Sequence, residues 1–475
     1  MHIKKISLSQ VLAWLTMLTI FVLPWQTIYI VSQPRIEGFM WTYGTHGFYL
    51  SQCLVWITAV LFLFWYVTKQ GCSTLKKELL RFAHPKVKVL CLLFVLYIVC
   101  SPFWAVYPAL SLQYSVYVLG AILLACVVIS GPASLQQLFY TFCVSATIQS
   151  LFGIWQTTQQ EVLASTILGI AEKLPQHAGV SVVVAEGVGR WLRAYGAFPH
   201  PNIFGGYMCT ALILSVAYYV YAGLPRRGVV KTLVYSLWGV LFLGLWVSFS
   251  RAALLAFVVW FVCFGMYLAL YTNKTKRFLQ VYVKSFIVFF CCTVYCLAVF
   301  FPQVYERVSV TAVYEMRSIS ERVSGYQQWF TILPPYMWFG TGPGGYTAAM
   351  QVNSPGLPGW AYQPVHNVFL LMLAELGIVG MLLACIVCFL LIATMLRFSG
   401  LDSVQKRNTL VCIFVLPICV IGLFDHYLFS SHAGILIVAV YMGMLIYCAK
   451  NCPQFVHFCC NNTHQTLGLG LDKKK

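Results

Sequence analysis

The sequence predicts an all-α polytopic membrane protein of about twelve transmembrane helices, with a large, partly helical external loop between spans 9 and 10. Composition is the first reason: 60% of the 475 residues are hydrophobic and only 9% charged, with a mean hydropathy of +0.80, which excludes a water-soluble globule. The second is that the apolar residues gather into twelve stretches. A hydrocarbon layer about 30 Å thick takes roughly 20 residues of helix, and backbone groups in lipid must bond internally, so these stretches fold as helices.

In chain order the spans are expected near 9–32, 49–68, 88–107, 112–130, 136–156, 203–222, 232–249, 252–271, 283–301, 364–392, 409–424 and 430–449. The first lacks a small-residue cleavage site after a short apolar core and is read as a retained helix. Charge supplies the orientation. With the N-terminus inside, 22 of the 30 Lys and Arg residues fall on the cytoplasmic side, and both termini lie there. The net charge of +18 is thus mostly a topology signal and does not imply a nucleic-acid partner. No 20- to 50-residue repeat and no linker to a soluble domain is present, so residues 1–475 are expected to form a single integral membrane domain.

Two loops face the outside, 157–199 and 302–363. None of the nineteen cysteines lies in either, which leaves an external disulfide framework unsupported. The tail residues Cys452, His457, Cys459, Cys460 and His464 fit no standard zinc spacing, and the Asn-x-Thr matches at Asn273 and Asn461 fall inside. The 302–363 loop holds Trp329, Trp338, Trp360 and several Tyr, too aromatic for a solvated tether. Its part from Gln303 to Leu333 reads as helix, with Arg322, Tyr326 and Trp329 on one face until Pro334–Pro335 ends the run; Gly325 is a place where that helix could break. The face suits sugar stacking or an interfacial aromatic belt. Gly340, Gly342, Gly344 and Gly345 then make a flexible turn without the Lys-Ser/Thr of a Walker loop.

Among the external arginines, Arg251 stands where two apolar helices meet almost without a loop. A charge at membrane depth costs about 2.5 to 3.5 kcal/mol, so it faces a cavity, a partner or a ligand. Glu375 or Asp425 would be structural partners; an anion is the other reading, since Arg forks match phosphate oxygens. His200, His366 and His426 all fall at external ends of spans. A neutral His366, followed by Asn367, beside a cationic site could take a proton from an incoming hydroxyl. No His, Cys or carboxylate cluster suggestive of a metal is visible.

Five segments in order, RAYGAFPHPNIFGGY (193–207), FSRAA (249–253), ERVSGYQQW (321–329), GTGPGGY (340–346) and HNVFLLMLAELGIVG (366–380), resemble the O-antigen ligase and polymerase superfamily over about residues 190–390. The resemblance implies a metal-independent, inverting glycosyltransferase of the bacterial inner membrane that takes glycan from an undecaprenyl diphosphate donor at the periplasmic face and needs no cofactor. Arg193, Arg251 and Arg322 would meet the donor diphosphate and His366 would be the base, with His200, Asn202, Asn367, Tyr326 and Trp329 in support. The single dominant loop is most similar to ligases, whose acceptor would be lipid A-core; the 157–199 loop keeps a polymerase open, and glycan transfer to protein is a further activity of the superfamily. A lipid-linked oligosaccharide flippase is the alternative from another class, and the half-symmetry that would mark it is not seen.

The topology yields an experiment. In a cysteine-free variant, a single Cys at Ser354 is expected to react with an impermeant label in intact spheroplasts and one at Ser403 to stay unlabelled; the opposite pattern would invert the orientation.

Overall fold

The computed structural model describes residues 6–68, 85–271, 276–308, 313–398 and 404–451. The Cys/His tail from Cys452, Asn273 and Asn461 lie outside the described residues. Sixteen α-helices are described: α1 (Leu8–Val22), α2 (Leu50–Val67), α3 (Pro85–Cys100), α4 (Pro108–Ser130), α5 (Leu135–Gln159), α6 (Pro201–Ala222), α7 (Gly228–Val247), α8 (Arg251–Tyr271), α9 (Lys276–Val299), α10 (Phe301–Val308), α11 (Val313–Ile332), α12 (Tyr346–Asn353), α13 (Val368–Phe398), α14 (Val404–Phe424), α15 (Tyr427–Ser430) and α16 (His432–Asn451). Nine contain segments long and apolar enough to cross a membrane, namely α2, α4 to α9, α13 and α16, among the described residues. The other three expected spans coincide with shorter apolar helices at Leu8–Val22, Lys88–Phe103 and Asn408–Phe424.

Helix α6 is the axis of the bundle. Its apolar window is 89% buried, against 22% for α9, and it packs on α5, α7, α8, α9 and α16. Small residues permit that enclosure, because helices in lipid associate through close van der Waals fit. Gly205 faces Ser248 and Ser250, and Gly206 lies against the Tyr427 side chain. The N-terminal end of α6, capped by His200, therefore starts inside the bundle.

Two expectations need correction. The first span does not run to residue 32: α1 stops at Val22 ahead of Pro24, and strand β1 (Ile28–Ser32) pairs antiparallel with β4 (His46–Tyr49). Proline has no amide to continue a helix, and the strand pairing satisfies the backbone instead. Nor is the fold wholly α. Strands β2 (Arg35–Ile36) and β3 (Phe39–Met40) close a tight hairpin on Glu37–Gly38, both at positive φ, and β5 (Val182–Ala185) pairs with β6 (Gly189–Leu192) inside the 157–199 loop. The helix expected in the large loop is present, and α11 runs unbroken through Gly325.

The second half of the 302–363 loop is folded against a broken helix. Helix α13 leaves helical geometry at Gly377, with φ 63° and ψ −177°. The amides just beyond the break donate to the loop, Ile378 to the Met337 carbonyl at 2.8 Å and Val379 to that of Trp338 at 3.1 Å. In return the Thr341 amide donates to the Ala374 carbonyl at 2.9 Å, and the Tyr97 hydroxyl donates to Leu376 and Phe339. Irregular backbone at this depth is tolerated only where protein supplies such partners. The buried Glu375 carboxylate, one turn earlier, accepts from the Gly344 amide at 2.7 Å and more weakly from Tyr346 at 3.4 Å. The glycine turn is thus a packed strut and not a flexible loop; Gly340, Gly342 and Gly344 all take positive φ.

A Cβ on Gly377 would meet the Trp338 carbonyl and the Gly340 amide, at a φ that side chains rarely adopt. Gly377→Ala is therefore expected to cost about 1–3 kcal/mol or more and to lower the Tm of the detergent-solubilised protein by several degrees. An unchanged Tm would show that the break is not held by these contacts.

Candidate functional site

Above the N-terminal end of α6 lies a cavity of about 680 Å³. Its walls come from five parts of the chain: Gly179–Val184 with Arg190 from the β5–β6 hairpin, Arg193 to Asn202 ahead of α6, the start of α8, helices α10 and α11, and the ends of spans at His366 and Phe424. Arg193, Arg251, Arg322 and His366, far apart in sequence, all line it, with His200 and Asn202. Tyr326, Trp329 and Asn367 do not.

The floor is the turn between α7 and α8. Phe249 sits there at φ 48°, a left-handed conformation that is a true outlier for a bulky residue and is held only where the surroundings fix it. Its neighbours show what fixes it. Arg193 donates through Nε to the Ser248 carbonyl at 2.8 Å, Arg307 through Nη2 to the Phe249 carbonyl at 3.0 Å, and Arg251 through Nη1 to the Arg307 carbonyl at 3.2 Å. Ser250 to Ala252 present the N-terminal end of α8 to the cavity, adding the positive end of a helix dipole to the guanidiniums. In all, the lining carries Arg190, Arg193, Arg251, Arg307 and Arg322 against Glu306 and Glu321.

Arg193 is 6% exposed. Burial, then the nearby Arg307 guanidinium, pull it below the usual arginine range to about 9, which leaves it charged at neutral pH. Its Nη2 donates to Asn202 Oδ1 at 2.6 Å, and Asn202 Nδ2 passes the contact on to Asp425 Oδ2 at 2.6 Å. Asn202 is therefore a relay between a buried cation and a buried anion. His200 caps α6: its Nδ1 accepts the Asn202 amide at 3.1 Å, which leaves Nε2 to carry the proton toward Ser181 Oγ at 3.1 Å. Burial and Arg193 lower its pKa to about 3, so it is neutral and structural.

His366 lies half-buried just before α13. Its ring packs at 5.1 Å from that of His426, and His366, Asp425 and His426 each bring one potential ligand atom to within 4.8 Å of the others. This corrects the expectation that no His or carboxylate cluster exists; fifty-nine residues of sequence separate His366 from Asp425. The carboxylate is already engaged, however. Oδ2 accepts from Asn202 and Oδ1 from the His426 amide at 2.8 Å, while His426 Nδ1 bonds Ser430 Oγ at 2.6 Å. A cation there would compete with these bonds, so the donor set fits a proton-handling trio better than a metal centre. Burial pushes Asp425 up, but His426, His366, His200 and the Asn202 bond outweigh it and hold it ionised. Burial lowers His366 below its usual value, against the opposing pull of Asp425 and with the help of Arg322.

The remaining expected residues make packing and capping contacts outside the cavity lining. Trp329 is buried, and its indole donates to the Leu370 carbonyl at 2.8 Å; Tyr326 packs on the same core. Neither forms a sugar platform or an interfacial belt. Asn367 caps α13, its Oδ1 accepting the Phe369 and Leu370 amides at 2.9 and 3.1 Å, and donates to the Leu423 carbonyl at 3.3 Å. Neither suggested partner of Arg251 holds it in these bonds, since Glu375 caps α12 and Asp425 serves Asn202. Sequence reasoning missed Asp425 and His426 as part of the site, and also Arg307; an ionisable pair at the mouth of a span was the one available signal for the first two.

The cavity thus has an arginine-rich floor beside a neutral imidazole close to an ionised carboxylate. No curated protein matches the chain. Residues 236–385, which include Arg251, Arg307, Arg322 and His366 but not Arg193 or Asp425, match the family described as O-Antigen ligase. That match covers about a third of a chain in which nine helices, among the described residues, are long and apolar enough to cross a membrane.

Proposed function

We propose that the protein is a metal-independent, inverting glycosyltransferase that moves a glycan from undecaprenyl diphosphate to an acceptor hydroxyl, that of lipid A-core first, at the periplasmic face of the bacterial inner membrane. The observation that carries the reading is the convergence of Arg193, Arg251, Arg322 and His366 on one cavity. In this reading twelve helices span the bilayer with both termini cytoplasmic. The arginines hold the diphosphate and take the growing charge on it as the anomeric C–O bond breaks, the electrostatic role that a divalent ion fills elsewhere. His366 accepts the acceptor proton as that oxygen attacks the opposite face of the anomeric carbon, and Asp425 stabilises the resulting imidazolium. The prenyl diphosphate departs with the bonding electron pair. Polymerisation of the same glycan is the second reading, favoured by one observation: the 157–199 loop supplies a wall of the cavity through Gly179–Val184 and Arg190.

Purified protein given undecaprenyl diphosphate-linked labelled glycan should transfer it to lipid A-core with no ion gradient and in the presence of chelator. Elongation of the donor's own glycan would select the polymerase. Transfer lost to chelator and restored by magnesium or manganese would overturn the metal-independent mechanism; movement across a sealed membrane without transfer would identify a flippase.

General-base catalysis contributes roughly 100- to 10,000-fold. His366→Ala and His366→Gln should both lose about that much turnover with donor binding and expression near wild type, because Gln keeps a hydrogen bond but cannot take a proton. Full activity in His366→Gln would remove the base assignment. The lowered His366 pKa also fixes the sign of the pH dependence. The base form persists as pH falls until the depressed pKa is reached, so the acid limb of kcat/KM should lie below pH 6.5, the ordinary histidine value, and vanish in His366→Ala.

A further inference from the structure

We infer that Tyr43, on the short 3-10 turn Thr42–Gly44 between β3 and β4, is a positioning residue of the site: its ring backs the imidazole of His426, which in turn backs that of His366. The inference rests on the reading of His366 as the base. Three rings stand in a row. Tyr43 meets His426 edge to face, with centroids 5.9 Å apart and planes at 68°, and the His426 ring lies 5.1 Å from that of His366. Tyr43 is not among the residues that line the cavity, so its route to the chemistry runs through His426.

The turn that carries Tyr43 is fixed on both flanks. On one side Gln113 of α4 bonds it twice, donating to the Thr45 carbonyl at 3.2 Å and accepting the Gly47 amide at 3.1 Å. On the other, Trp41 is buried, its amide donates to the Pro34 carbonyl at 2.9 Å, and a Cβ on Gly44 would overlap its indole. Tyr43 itself packs on the core that holds Trp329 and Val365, the latter next to His366 in sequence. The segment between α1 and α2 thereby shares a core with the large loop. His426 is tied at Nδ1 to Ser430 Oγ at 2.6 Å, but a bond to one atom leaves a ring free to tilt about it. An aromatic edge against the ring removes that freedom. Tyr43 is not itself a proton carrier: burial, and then the Asp425 carboxylate, push its phenol above the usual range, so it stays neutral. What it supplies is a rigid, uncharged wall.

The test uses the full chain in detergent and the glycan-transfer assay above, with kcat and donor KM measured beside Tm. Tyr43→Ala should lower kcat about 10- to 100-fold, the scale of a reacting group moved by roughly an ångström, with donor KM near wild type. Tyr43→Phe, which restores the ring, should recover most of the loss. Action through His366 is read from a double-mutant cycle: in a His366→Gln background, Tyr43→Ala should cost less than about a further twofold, because the group it positions is already gone. Losses that multiply, a loss that Tyr43→Phe does not recover, or a Tyr43→Ala enzyme with wild-type kcat would each overturn the inference and leave the base assignment standing. Should Tyr43→Ala fail to give a folded, monodisperse protein, Tyr43→Leu, which fills the core without an aromatic edge, takes its place in the same cycle and is judged by the same outcomes. Full activity in His366→Gln would refute the base reading, and the Tyr43 inference with it.

Discussion

A buried, charged Arg193 is the constraint from which the site is built. Stripping a guanidinium of water is tolerable only when its N–H groups are bonded and its charge is answered, and both demands reach far along the chain. The Ser248 carbonyl must point at it, which is achieved by a left-handed Phe249 between α7 and α8. Asn202 must stand at the start of α6 to carry the contact to Asp425 at the end of α14. One side chain thereby aligns the outer ends of α6, α7, α8 and α14. A cavity floored with arginine follows from that alignment.

The same carboxylate sets the state of the histidines. Burial alone would make His366 a weak base and Asp425 a neutral acid; together, the imidazole favours the carboxylate anion, and the anion moderates the loss of basicity at the imidazole. Arg322 acts on His366 in the opposite direction. His366 thus lies between an anion that strengthens it and a cation that keeps it neutral at rest, a balance suited to a group that must hold a proton only briefly. His426 and His200, more deeply buried and committed to Ser430 and Ser181, stay outside this exchange.

Much of this was legible in the sequence, and the limits have physical causes. Span positions follow from hydropathy alone, so all twelve apolar stretches contain helices; α1 is short because Pro24 stops it, a local signal overridden in the reading by the apolar residues beyond. Arg193, Arg251, Arg322 and His366, which line one cavity, stand out in the sequence because each is a charged or titratable group at a span end or in a dense motif. Asp425 and Arg307 were missed as site members because their meaning lies in what packs beside them, which no spacing encodes. Trp329 and the glycine turn erred the other way. An aromatic on a helix face and a run of glycines look the same in sequence whether they meet a ligand or a core, and only the buried Leu370 and Glu375 contacts decide.

The break in α13 explains why the large loop and the His366 end of that helix belong to one unit. Loop carbonyls from Met337 and Trp338 take up amides freed at Gly377, so the loop cannot shift without unsatisfying α13, and α13 cannot straighten without expelling the loop. That lock fixes the axis of the helix whose first turn follows His366. Asn367 then fixes the end itself, capping α13 with one side-chain atom while another reaches the Leu423 carbonyl, two residues before Asp425. The placing of His366 beside Asp425 is therefore supported by Asn367, which ties the start of α13 to the end of α14.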